Sequence, residues 1–126
     1  MAITVGGSTI TMNSGAVIQD PPGTAPGYVC RAWVNFNGTG TVAIRASGNV
    51  SSITDNGTGD YTVNFSTATT DANYATVMLN GETSGYVTCA LYATATPQTT
   101  AGVRVACVGF NTALFDRSIV NVSVFR

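Results

Sequence analysis

SSITDNGTGDYTVNF, Ser51 to Phe65, sets two alternating runs around a glycine-rich centre. Asp55 and Asp60 flank Asn56-Gly57 and Gly59. Oxygen ligands on a glycine loop suit calcium, and the same residues also turn a chain. An EF-hand loop needs oxygen ligands at alternate positions and a Glu at the twelfth. Counted from Asp55, the alternate positions fall on Gly57 and Gly59, and the twelfth is Ser66. The flanks favour a turn. Ile53 leads in, and Tyr61, Val63 and Phe65 alternate with Thr62 and Asn64 on the way out. Asn-Gly between alternating runs tolerates positive φ, so the stretch predicts a β-hairpin turning at Asn56-Gly57, with no metal.

The same device recurs upstream in NFNGTGTVAI, Asn35 to Ile44. In YVCRAWVNF, Tyr28, Cys30, Ala32, Val34 and Phe36 share one parity, and Val29, Arg31, Trp33 and Asn35 the other. In TVAIRAS, Val42, Ile44 and Ala46 oppose Ala43, Arg45 and Ser47. A period of two is the pleat of a half-buried strand. Further strands are expected at Tyr74–Asn80, Tyr86–Ala93, Val103–Phe110 and Ile119–Phe125, with turns at Asn37-Gly38, Asn80-Gly81 and Ser84-Gly85. No segment has helical periodicity. The predicted fold is all-β, an antiparallel β-sandwich spanning residues 28–126. Residues 1–27 hold a short N-terminal strand, ITVGGSTITM, and a Pro/Gly linker around Pro21-Pro22, Gly23 and Pro26. That strand is too apolar for a free tail and is expected to pack, on another subunit for example.

Composition narrows the function. Of 126 residues, 44% are hydrophobic and 9% charged, against roughly 25% charged in ordinary soluble domains. The surface is therefore built from Thr, Ser, Asn and Gly, and weak charge repulsion favours self-association. A net charge of −1 and five scattered arginines argue against nucleic acid. No stretch has the roughly 20 apolar residues of a membrane helix. The N-terminus carries no basic residue before Arg31 and does not read as a secretory signal. With an odd count of cysteines, Cys30, Cys89 and Cys107 are expected to be mostly reduced, although one disulfide remains open.

Catalysis is not expected. Histidine is absent, which removes Ser-His-Asp and Cys-His chemistry and the His/Cys zinc sites. The six acids, Asp20, Asp55, Asp60, Asp71, Glu82 and Asp116, fall at predicted turns or strand ends, where they cap and solvate. No catalytic residue, metal ligand or cofactor site is assigned. Trp33 fits two accounts: a core residue with the alternation misphased, or a subunit contact beside Arg31. Arg31, Trp33 and Arg45 are the candidate interface residues. Each guanidinium is expected to meet an acceptor on a neighbouring chain. Tyr86 and Tyr92, of one parity, suit sugar stacking or half-buried cover.

RAWVNFNGTGTVAIRASGNVSSITDNGTGDYTVNF, Arg31 to Phe65, with TDANYA (Thr70 to Ala75) and VNVSVFR (Val120 to Arg126), resembles bacteriophage tail-fibre and related virion proteins. The resemblance implies a C-terminal β-domain that closes a trimeric fibre. It implies a virion location after synthesis in the host cytoplasm. The implied partners are copies of the chain, other virion proteins, and a host surface glycan or protein. The arrangement is also loosely similar to H-type lectin sandwiches, which are trimeric. A capsid-decorating or head-fibre protein and a lectin-like carbohydrate-binding module are the alternatives. The resemblance carries over no receptor-binding residue.

Overall fold

The computed structural model describes residues 2–5, 8–11, 28–81, 87–92, 96–109 and 111–126. Among them there are strands and turns and no helix. Strands β1 (Ala2–Val5) and β2 (Ser8–Thr11) form an antiparallel pair of their own, with Val5 opposite Ser8. The expected single N-terminal strand is thus two. The Pro/Gly linker, Ser84-Gly85, Glu82 and Tyr86 lie outside the described residues.

Two antiparallel sheets pack together. The first runs β4 (Ala43–Gly48), β3 (Cys30–Asn37), β11 (Ile119–Phe125), β7 (Ala75–Gly81). The second runs β5 (Val50–Gly57), β6 (Asp60–Phe65), β10 (Gly102–Gly109), β8 (Val87–Leu91), with short β9 (Gln98–Thr99) also on β10. The period of two sorts the core. Ala32, Val34, Phe36, Val120, Val122 and Val124 point in from the first sheet and meet Tyr61, Val63, Phe65, Val103, Val105 and Cys107 from the second. Phe36 meets Tyr61 edge-on across the gap, with ring centroids 5.1 Å apart. Such pairs prefer the T-shape because the ring edge is positive and the face negative. The inward set begins only at Ala32, for Tyr28 and Cys30 are exposed.

Asn49 carries the chain from one sheet to the other. It adopts φ +55°, which Asn tolerates better than most residues. Its amide donates to the carbonyls of Arg31 and Thr67, and its Oδ1 accepts from the Thr67 N–H. The crossing is thereby stapled on both sides.

The opening stretch is a hairpin, but its turn is Thr58-Gly59 rather than Asn56-Gly57. Gly57 pairs with Asp60, and a bulge at Asn56 shifts the register. Gly59 sits at φ +64° with Phe115 and Cys107 backbone packed against it; a β-carbon there would lie 2.6 Å from the Phe115 nitrogen. Gly57 keeps the positive φ expected of it, at +132°, in open space, while the crowding falls on Gly59. The upstream loop shows a similar shift. Gly40, not Gly38, has positive φ, while Gly38 is bare so that the Tyr61 hydroxyl can approach its backbone.

Both acids of the opening stretch find partners within the chain. Asp55 Oδ1 accepts the Gly57 N–H at 3.0 Å. Asp60 is not the solvated tip expected from its position: it is buried and gripped at both oxygens by Arg104, at 2.9 and 2.7 Å. Two parallel charge-assisted bonds offset the desolvation that burying a carboxylate costs.

Candidate interaction face

Strand β3 decides the position of Trp33. With Ala32, Val34 and Phe36 committed to the core, Arg31, Trp33 and Asn35 face outward. Trp33 is 44% exposed, so the core account fails and the alternation is in phase. Its indole lies over Gly48 on β4, where a β-carbon would come within 2.4 Å of Nε1.

Register extends this outward face across the sheet. One row runs Gly48, Trp33, Ser123, Val77; the next runs Ala46, Asn35, Asn121, Leu79. Asn35 Nδ2 donates to Asn121 Oδ1 at 2.6 Å, so one bond joins the two amides. Ile119 and Phe125 add apolar surface at the two ends of β11. Val77 is 54% exposed and Leu79 66%. Neither row contains an ionisable side chain. Tryptophan and aliphatic side chains around hydrogen-bonded amides, without charge, match the centre of a protein interface.

The two candidate arginines are placed differently from expectation. Arg31 lies at the Phe125 end, where its Nε donates to the Arg126 carbonyl at 3.0 Å. Arg45 is the extra residue of a bulge, since Asn35 pairs with Ala46 and Phe36 with Ile44. It reaches the Ser118 carbonyl. Each guanidinium bonds one carbonyl of its own chain. The structure brings Arg31 and Trp33 to one face and leaves Arg45 at the sheet's rim strand. Sequence reasoning missed Val77, Leu79, Ile119 and Phe125. Part of their signal was present: in ATVMLNG the parity of Ala75, Val77 and Leu79 is more apolar than that of Thr76, Met78 and Asn80, and in IVNVSVF Ile119 and Phe125 close the parity of Asn121 and Ser123.

Beside Arg31 a hollow of about 320 Å³ is lined by Asn49, residues 67–70 and Arg126. Arg126 is held by the Asp71 carboxylate and the Asn73 carbonyl. Tyr92 is less available for stacking than expected, because the Arg104 guanidinium covers one ring face 4.1 Å from the centroid.

Tyr61 and Asp116 have the spacing of an acid–base pair, with the hydroxyl 2.8 Å from Oδ1. The same carboxylate oxygen accepts the Gly59 N–H at 2.7 Å, and the hydroxyl is 2.9 Å from the Gly38 carbonyl. Burial first, and then the Asp116 carboxylate, hold the phenol well above its ordinary range. Tyr61 is fully buried, so no substrate reaches it. The cluster ties three loops together at one end of the sandwich. Among the described residues no group of three His, Cys, Asp or Glu is placed to hold a metal ion.

Comparison with known proteins adds no relative: no family model matches, and neither the curated proteins nor the solved structures gave a match.

Proposed function

We propose that this chain is a structural β-domain of a bacteriophage virion, a tail-fibre or fibre-tip domain that contacts the host surface and carries out no catalysis. It assembles as a homotrimer through the outer face of the first sheet. The observation that carries the assembly is the pair of uncharged rows through Trp33 and Leu79. The virion assignment is carried by the resemblance of Arg31 to Phe65 to fibre proteins. A second copy is the fitting occupant: the rows hold no charge for an oppositely charged partner to match, and a net charge of −1 barely repels an identical chain.

Light scattering tests the assembly. A trimer at micromolar concentration is expected, and a monomer rejects it. Trp33→Ala should weaken association by about 30-fold, as truncation of a central aromatic does. A variant that stays trimeric but melts early would return Trp33 to a merely structural role. Mass analysis of purified virions tests location, and absence of the chain from the particle ends that proposal.

The hollow beside Arg31 favours a second reading, a lectin-like module taking an anionic sugar between Arg31 and Arg126. An array of sialylated and uronic-acid glycans without binding would count against it.

A further inference from the structure

We propose that Cys89 and Cys107 form an oxidation site at which a peroxide joins the two thiols into an intrachain disulfide, fastening β8 to β10. The inference goes beyond the function proposed above and does not depend on it.

The two cysteines are directly opposite on antiparallel strands, with sulfurs 3.8 Å apart. Backbone bonding identifies the kind of position. The Cys107 N–H donates to the Gly59 carbonyl and its own carbonyl accepts from the Phe115 N–H, both on the side away from β8. Toward β8 the pair three positions along is bonded, Tyr92 N–H to the Arg104 carbonyl, which puts the cysteines at the alternate, unbonded parity. Cys89 and Cys107 therefore occupy a non-hydrogen-bonded pair, where facing α-carbons come to about 4.5 Å and side chains are closest. That separation lies within the range a disulfide spans, so side-chain rotation closes the bond without moving the strands.

Access fits the same chemistry. Cys107 is fully buried, while Cys89 is partly exposed and offers the sulfur a small oxidant can reach. The contact between the two sulfurs, with burial, raises the Cys89 thiol, while the same contact lowers the Cys107 thiol, so a proton shared by the pair rests on Cys89. Cys30 contrasts with them. It is exposed on the other sheet, with its thiol directed at the Ala32 carbonyl.

The step balances with hydrogen peroxide as oxidant. The Cys89 sulfur attacks a peroxide oxygen and the O–O bond breaks; Cys89 becomes a sulfenic acid and its proton leaves in water. The Cys107 sulfur then attacks the Cys89 sulfur. The S–S bond forms, the S–O bond breaks, and the Cys107 proton leaves in a second water. Two thiols lose two electrons and two protons, and the peroxide is reduced to two waters. Among the described residues β8 pairs only with β10, so the bond would pin an edge strand that otherwise opens easily.

The test uses the full chain carrying Cys30→Ser, treated with hydrogen peroxide and mapped by mass spectrometry without reductant. A cross-linked Cys89–Cys107 peptide, reversed by dithiothreitol, is expected. The oxidised form should melt about 10 °C higher, since the bond closes a loop of intermediate length. Slower amide exchange in β8 should accompany it. Oxidation of either sulfur to a sulfinic acid without cross-link, or two thiols that survive treatment, would overturn the proposal. In a Cys30→Ser/Cys89→Ser chain, buried Cys107 should stay a thiol. Its oxidation at the parent's rate would reject Cys89 as the entry point.

Discussion

The outer faces of the two sheets are built to opposite ends. On the second sheet Asn64 donates to the hydroxyls of Ser52 and Thr54, and Asn56 to that of Thr62. Arg104 holds Asp60 and covers Tyr92. This is a polar lattice that satisfies itself and meets water without further partners. On the first sheet the corresponding positions hold Trp33, Val77 and Leu79 around one amide pair. Equal burial beneath and unequal dress above separate two tasks. The inward residues hold the fold, and one outward face is left apolar, the face proposed for self-association.

The largest expected effect checks the boundary between those tasks within one strand. Phe36→Ala should cost about 3–5 kcal/mol, because Phe36 is fully buried and fills the space between the sheets. Trp33→Ala on the same strand should change the isolated monomer's denaturant midpoint little. Similar losses of monomer stability for the two would erase the distinction.

Charge placed on the contact face should come next. Leu79→Arg is expected to weaken self-association by about 100-fold, since each interface would then bury an unpaired guanidinium. Sedimentation at several concentrations reads this, with circular dichroism to show that the fold persists. Unchanged association would remove the β7 end of the face from the interface.

Smaller again is Tyr61→Phe, which deletes one buried hydroxyl and should cost about 1–2 kcal/mol. Its pH signature has a definite sign. Folding raises the Tyr61 phenol above its ordinary value, so its contribution is complete below about pH 10 and is lost as pH rises further. Burial also raises Tyr74, so Tyr61→Phe should shrink the alkaline loss of stability without abolishing it. Identical alkaline unfolding curves for parent and variant would contradict this account.

The smallest expected effect is the control on the other sheet. Thr54→Arg removes one of two acceptors for the Asn64 amide and adds a solvated charge. Stability should move by about 0.5 kcal/mol or less, with no change in association. Dissociation by Thr54→Arg would mean that the polar face, not the apolar one, joins the copies.

Much of the fold was legible because the strand period of two records which side faces oil. Ile119–Phe125 falls where the pattern predicts, and so does the outward parity of Trp33. The glycine turns were legible as turns but not in their detail. Thr58-Gly59 makes the turn that the sequence places at Asn56-Gly57, and Phe115, more than fifty residues away in sequence, packs against Gly59. Asp60 reads locally as a turn acid, and its burial follows from an arginine 44 residues on. The apolar face was half legible: Trp33 stood out by type, while Val77 and Leu79 read as the inward parity of β7, against Thr76 and Asn80, and only the sheet pairing turns them outward.

By itself the sequence determined the class of the molecule, through β-branched and aromatic residues at alternate positions, turn residues between them and little charge. Tertiary structure alone decided that β11 lies between β3 and β7, so that Trp33, Ser123 and Val77 form one row. It also decided that Cys89 meets Cys107. The reason is physical. Alternation is a local consequence of the pleat, whereas pairing joins segments far apart in sequence and is selected by the packing of the whole core.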